Sequence, residues 1–303
     1  MTKIQFDRDF DPQYGIAVDV SPLVQRIVCN NGGPFTFMGT GTYLVGNKSV
    51  AVIDPGPDDD EHLNALLAAL DGKTVSHIVI THTHMDHSPL AAKLKQATGA
   101  KTYGYGPHGA GRVSNSGDLQ LDAGGDYDFS PDIMINDGDV ISTGEWSLEA
   151  VFTPGHTSNH MAFALKEENS LFSGDHVMSW STSVIAPPDG YMADYFASLK
   201  KLLDRNEKTY WPTHGGPRQD PKAFVRAFLT HRKMREAAIE TRIKKGDRKI
   251  RDIVKNIYSD VDPRLHPAAA MSTMAHIEHL IERERIKTEG ELSLSADYWA
   301  VKN

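Results

Sequence analysis

Three histidines and an aspartate fall within six residues of this chain, in the run Thr81-His82-Thr83-His84-Met85-Asp86-His87, directly after the apolar stretch Ile78-Val79-Ile80. Neutral imidazole nitrogen and carboxylate oxygen are the donors a borderline cation such as zinc takes at ~2.0 to 2.2 Å, and an ordinary hydrophobic core does not crowd four of them together. His82 and His84 stand two apart, so an extended backbone carries both on one side. Asp86 and His87 then belong to a tighter turn. Ser88-Pro89 has the form of an N-cap and first helical position, and the spacing of Leu90, Leu94 and Ala97 predicts a helix that begins there. The run therefore demands a fold in which a strand end meets a helix and delivers donors to one half of a two-metal site.

A closed two-metal site needs about three more donors, and the chain offers them after further strand-like stretches. Ser147–Phe152 is followed by Thr153-Pro154-Gly155-His156-Thr157, where Pro and Gly break the strand and present an imidazole. Ser170-Leu171-Phe172 leads into Ser173-Gly174-Asp175, and the stretch ending at Trp211 leads into Pro212-Thr213-His214-Gly215-Gly216.

In these motifs the chain resembles the metallo-β-lactamase superfamily over roughly residues 20 to 220, with H-x-H-x-D-H as His82, His84, Asp86 and His87 and the later ligands as His156, Asp175 and His214. The resemblance implies an α/β fold, a four-layer αββα sandwich with the metals in a cleft along one edge. It implies that His82, His84 and His156 hold one divalent cation, that Asp86, His87 and His214 hold a second, and that Asp175 bridges them. Zinc is the expected metal, with manganese or iron as alternatives. The Asp54-Pro55-Gly56 turn matches a family motif usually read as structural support near the site. The chemistry expected of two such cations is hydrolysis by a shared hydroxide, with Asp86 orienting that nucleophile as well as binding metal.

Two more histidines sit beside ligands. His160 is expected either to support a ligand or to contact substrate, and His176 either to have no catalytic role or to deliver a proton to a leaving group. Both are carried as candidate catalytic residues together with Asp86. The apolar stretch Met178–Pro188, which contains Trp180, is the candidate substrate wall. The single cysteine, Cys29, excludes an intrachain disulfide and suits a small buried side chain.

With 303 residues the chain exceeds one comfortable domain. It shows no signal-like N-terminus and no apolar run approaching the ~20 residues of a membrane span, so it is expected to be soluble and cytoplasmic, with no membrane partner. A division is expected near residue 218. Residues 1–218 carry 15 lysines and arginines against 27 acidic residues, a net of about −12, whereas residues 219–303 carry 17 against 13, about +4. Residues 222–255 alone hold twelve basic and four acidic side chains.

Helices are expected over about 221–245, 248–259 and 267–284, followed by two short segments around Gly290 that pair as a wing. Residues 219–303 thus resemble a small, mostly helical winged-helix domain. Together with the metal motifs this is similar to the β-lactamase-like protein 2 family, which includes a single-strand-selective endoribonuclease. The resemblance leaves two substrate classes open, single-stranded RNA and small esters or thioesters of the glyoxalase II kind, with an iron-dependent persulfide dioxygenase as a further alternative. His276 and His279 suit core or surface positions better than metal ligation. Oligomeric state is not encoded in any of these patterns.

Overall fold

A computed structural model describes residues 4–112, 124–259 and 262–301. Among them, seven strands form a first sheet in chain order: β1 (Val18–Ser21), β2 (Val24–Val28), β3 (Gly41–Val45), β4 (Ser49–Ile53), β5 (Thr74–Val79), β6 (Lys101–Gly104) and β7 (Ile133–Met134). Pairing is antiparallel as far as β4 and parallel from β4 to β7. A second sheet holds β8 (Val140–Ser142), β9 (Ser147–Phe152), β10 (Met161–Leu165), β11 (Ser170–Gly174), β12 (Thr209–Pro212) and β13 (Arg218–Gln219). Within it β11 and β12 run parallel.

Alternation along the strands explains why the sheets stack. Tyr43 and Val45 of β3, Ala51 and Ile53 of β4, and Met161, Phe163 and Leu165 of β10 meet in one apolar layer between the sheets. The intervening Leu44, Val50 and Val52 face the opposite way, onto α1 (Asp60–Ala69) and α2 (Ala91–Thr98). Ala162 and Ala164 likewise face α3 (Met192–Asp204) and α4 (Pro221–Lys244). A period of two with both faces apolar requires cover on both sides, and the result is the expected helix–sheet–sheet–helix sandwich.

The predicted helix at Ser88-Pro89 starts later than its capping signal, at Ala91 with Leu90 in the cap position. Ser88 Oγ donates instead to Asp126 at 2.6 Å, so its hydroxyl is committed to another loop. The C-terminal helices fall close to expectation, as α4, α5 (Ile250–Ile257) and α6 (His266–Glu282). The wing differs. Its strands are β14 (Ile286–Lys287) and β15 (Trp299–Ala300), so the partner of the first segment lies beyond the Leu292–Leu294 stretch. Buried Tyr298 causes this: its hydroxyl donates to the Ser293 carbonyl at 2.6 Å and folds residues 293–298 back as a loop.

α4 serves two cores. Phe224, Val225, Phe228 and Leu229 complete the layer behind the second sheet, whereas Ile239 and Ile243 join the core of α5, α6, β14 and β15. Among the described residues no helix is long and apolar enough to cross a membrane.

Candidate metal centre

The loops that follow β4, β5, β9, β11 and β12 gather at one edge of the sandwich, the usual place for a site in sheets with parallel strands. They bring together all seven sequence-predicted ligands. Three donor groups able to hold a metal ion result: His82, His84 and His156; His82, His87 and Asp175; and Asp86, His87 and His214.

The geometry of the first group suits a cation and not a set of hydrogen bonds. Nδ1 of His84 stands 3.1 Å from Nε2 of His82 and 3.1 Å from Nε2 of His156. Ligands on a tetrahedral cation with bonds of ~2.0 to 2.1 Å lie about 3.3 Å apart, a spacing that these nitrogens match. In the last group, Asp86 Oδ2 lies 3.1 Å from His214 Nε2 and 3.4 Å from His87 Nε2. Asp175 Oδ2 stands between the groups, 3.3 Å from His214 Nε2 and 3.8 Å from both His87 Nε2 and His156 Nε2. Among the described residues, buried Nε2 of His87 and Oδ1 of Asp175 have no hydrogen-bond partner, which suits atoms that face a cation.

The outer ring atoms are tied down, which fixes both tautomer and orientation. Nδ1–H of His156 donates to the Val184 carbonyl at 2.5 Å, and Nδ1–H of His214 to the Gly39 carbonyl at 3.1 Å. Thr81 Oγ1 gives its one proton to Asp54 Oδ2 at 2.7 Å, so towards His82 Nδ1, 3.0 Å away, it acts as acceptor and leaves Nε2 of His82 with a free lone pair. Asp54 supports His87 Nδ1 at 2.9 Å, Thr81 N at 2.8 Å and Thr213 Oγ1 at 3.2 Å. It reaches three strand ends because its own backbone turns through a left-handed conformation, φ 50°.

Electrostatics follows from burial and from this crowding. Burial pushes the His156 imidazole down to about 4, and neighbouring His84 adds to the effect. Burial opposes charge at His214 too, but Asp175 and Asp86 outweigh it and raise the group to about 10. The Asp86 carboxyl is burdened by burial, yet His87 and His214 hold it well below the usual carboxylate range. In the cation-free chain the carboxylates of Asp86 and Asp175 are thus balanced by the imidazoles of His87 and His214, and bound cations would take the place of the protons those rings hold.

A cleft of about 430 Å3 opens over the donors. His84, Asp86, His156, Asp175 and His214 form its floor, and Phe35, Met85, Met178, Val184 and Ala186 are the apolar part of its wall. No lysine or arginine lines it among the described residues. Met178, Val184 and Ala186 come from the predicted wall, whereas Trp180 stacks on Phe37 at a centroid distance of 4.8 Å. Phe35, 58% exposed at the lip, was not singled out in the sequence. The only local signal was the turn-forming Gly32-Gly33-Pro34 before it.

His160 and His176 are fully buried behind the ligands and line no part of the cleft. The ring of His160 lies 5.2 Å from that of His82 and bonds Thr153 Oγ1, and His176 packs on Tyr195 at 4.6 Å. Cys29 is buried as expected, and burial pushes its thiol up to about 12. His279 donates to Glu236 at 2.7 Å, with His276 at 3.6 Å from the same oxygen, far from a metal role.

Residues 36–214, more than half of the sequence, match the description "Metallo-beta-lactamase superfamily". The chain belongs to that superfamily. Residues 250–299 match the "Beta-lactamase associated winged helix domain", which adds the expected C-terminal unit to the metallo-β-lactamase fold. Among similar proteins, an atrochrysone carboxyl ACP thioesterase of Pseudocercospora fijiensis is 28% identical over 82% of this chain and 70% of its own. A β-lactamase-like protein 2 homolog of Caenorhabditis elegans is 29% identical over 80% of this chain and 78% of its own. The crystal structure of a β-lactamase domain protein from Burkholderia ambifaria, 18% identical, superimposes with a TM-score of 0.78 over 97% of this chain and 96% of that one. That likeness concerns the fold.

Proposed function

We propose that this superfamily member is a metal-dependent thioester hydrolase with two divalent cations, zinc first among candidates, and with an apolar acyl group as its preferred substrate. The observation that carries the reading is the cleft: an apolar wall without cationic side chains, standing over paired imidazole and carboxylate donors. Similarity to a protein named as an acyl carrier protein thioesterase supports the same substrate class.

His82, His84 and His156 would hold one cation and Asp86, His87 and His214 the other, with Asp175 between them. Bound there, two such cations supply Lewis-acid polarisation of a carbonyl and acidification of water near neutral pH. The chain's own groups do the rest. We give Asp86, a quarter exposed at the floor of the cleft, the role of accepting a proton from attacking water at its carboxylate. Phe35, Met85, Met178 and Val184 bind the acyl chain, exclude bulk water and orient the carbonyl towards the floor. His160 and His176 lie behind the ligand layer, so we give both a supporting role there in place of proton delivery.

Cleavage of single-stranded RNA, the other reading of the sequence, draws no support from the cleft. Several basic side chains of residues 222–255 are held in internal contacts: Arg242 pairs with Asp247, Lys244 with Glu240 and Lys249 with Asp297, and Arg235 lies over the Tyr258 ring. The test is a direct comparison of the metal-reconstituted chain on an aromatic acyl thioester, lactoylglutathione and a fluorogenic single-stranded RNA, with metal content measured alongside. Turnover of the acyl thioester above the other two supports the proposal. RNA cleavage that survives repurification, or one iron per chain without hydrolysis, overturns it.

A further inference from the structure

Arg232, on α4, is 3% exposed, yet among the described residues it has no carboxylate within ion-pair distance. Burying a guanidinium without a counter-charge is expensive, so what its donors hold matters. Nη2 donates to the carbonyl of Ser183, and Nη1 lies 3.5 Å from Ser272 Oγ on α6. The guanidinium carbon stands 5.4 Å from the centre of the Tyr195 ring, whose hydroxyl donates to the His176 carbonyl at 2.9 Å. Ser183 Oγ donates to the same carbonyl at 2.8 Å.

The residue after Ser183 makes this arrangement consequential. Val184 accepts the Nδ1–H of His156 on its carbonyl, and its side chain lines the cleft. The Ser183 carbonyl and the Val184 nitrogen share one rigid peptide plane, so pinning Ser183 O fixes the plane from which the φ and ψ of Val184 aim its own carbonyl. That carbonyl in turn sets the plane of a ligand ring.

We propose that Arg232 is a positioning residue: from a helix outside the superfamily-matched segment it fixes the Ser183–Val184 peptide, and through it the orientation of His156 in the metal centre. The helical C-terminal part is thereby wired to one of the two cation sites. The proposal rests on the two-metal reading but not on the choice of substrate.

The experiment titrates zinc alone into the metal-free, full-length chain against a chromophoric chelator, and records the visible spectrum after cobalt(II) loading. Wild type is compared with Arg232→Met and Arg232→Lys. Arg232→Met is expected to weaken one zinc equivalent about 10-fold, in the range seen when groups supporting a ligand are removed, and to change the cobalt spectrum, with Arg232→Lys intermediate. A role confined to packing would lower thermal stability and leave both readouts at wild-type values, which would overturn the proposal. If Arg232→Met does not fold, Arg232→Lys decides on the same two readouts. A wild-type chain that takes up no zinc would instead remove the two-metal reading itself.

Discussion

Oδ2 of Asp54 lies 2.9 Å from Nδ1 of His87, on the side of the imidazole away from Nε2, which faces Asp86 and Asp175. The same carboxylate receives the backbone N–H and the hydroxyl of Thr81, the residue before the first ligand. Asp54→Asn keeps the volume but loses the charge and one acceptor. It is expected to weaken zinc binding by about 10- to 100-fold, measured by chelator competition. Asp54→Ala, which leaves Thr81 N–H unpaired in a buried place, should in addition lower stability by about 1–3 kcal/mol.

Asp175 reaches both donor groups through one oxygen, so its loss should be felt at two cations. Asp175→Ala is expected to reduce retained metal from two towards one or none per chain after dialysis, by elemental analysis, and kcat by about 100-fold or more. Full retention of two metals would contradict the bridging role.

Phe35 stands exposed at the lip while forming part of the cleft wall. Truncation in Phe35→Ala should raise KM for a long or aromatic acyl thioester by about 10-fold and leave metal content unchanged, because a contact of this kind is worth roughly 1–3 kcal/mol. For an acetyl thioester the same variant should behave as wild type.

Acid should loosen the seam between α4 and α6. Burial opposes the charge of Glu236, but the nearby His276 ring and a hydrogen bond from His279 hold it down to about 2. Its depressed value stabilises the fold above the ordinary glutamate range near 4.5, and that contribution fades as pH falls towards 2. Burial also pushes His276 down to about 4 from 6.5, so the neutral ring is favourable at neutral pH and costs stability as pH falls through that interval. Stability from chemical denaturation is therefore expected to decline from about pH 6.5 downward. Glu236→Gln should lower it by about 1–3 kcal/mol at pH 7 and flatten the part below 4.5.

The clustering of the seven side chains was legible because each is a metal-binding residue type placed where an apolar strand stops, a local pattern that needs no knowledge of partners. The sandwich was implied by the family resemblance those motifs carry, and the structure gives its physical reason: Ala51-Val52-Ile53 and Phe163-Ala164-Leu165 are apolar on both faces and need cover on both sides. What escaped was set by distant partners. Ser88 carries a capping signal, but Asp126 takes its hydroxyl. Leu292–Leu294 has the look of a strand, but Tyr298 turns that segment aside and β15 takes the pairing. That α4, which begins just after the charge change near residue 218, would serve two cores depends on what packs against each half of it. Val184 and Gly39 act through backbone carbonyls, which leave no mark in the identity of the residue.

The seven donors come from both sheets, His82 through His87 from the loop after β5 and His156, Asp175 and His214 from loops after β9, β11 and β12. Cations held among them would act as a removable cross-link between the two halves of the sandwich, closed only once both sheets have docked. Each would stabilise the native state in proportion to RT ln(1 + [L]/Kd), about 4 kcal/mol at a free concentration a thousand times Kd. The supply of metal in the surrounding medium would then set the lifetime of the folded chain against proteolysis as well as its rate of turnover.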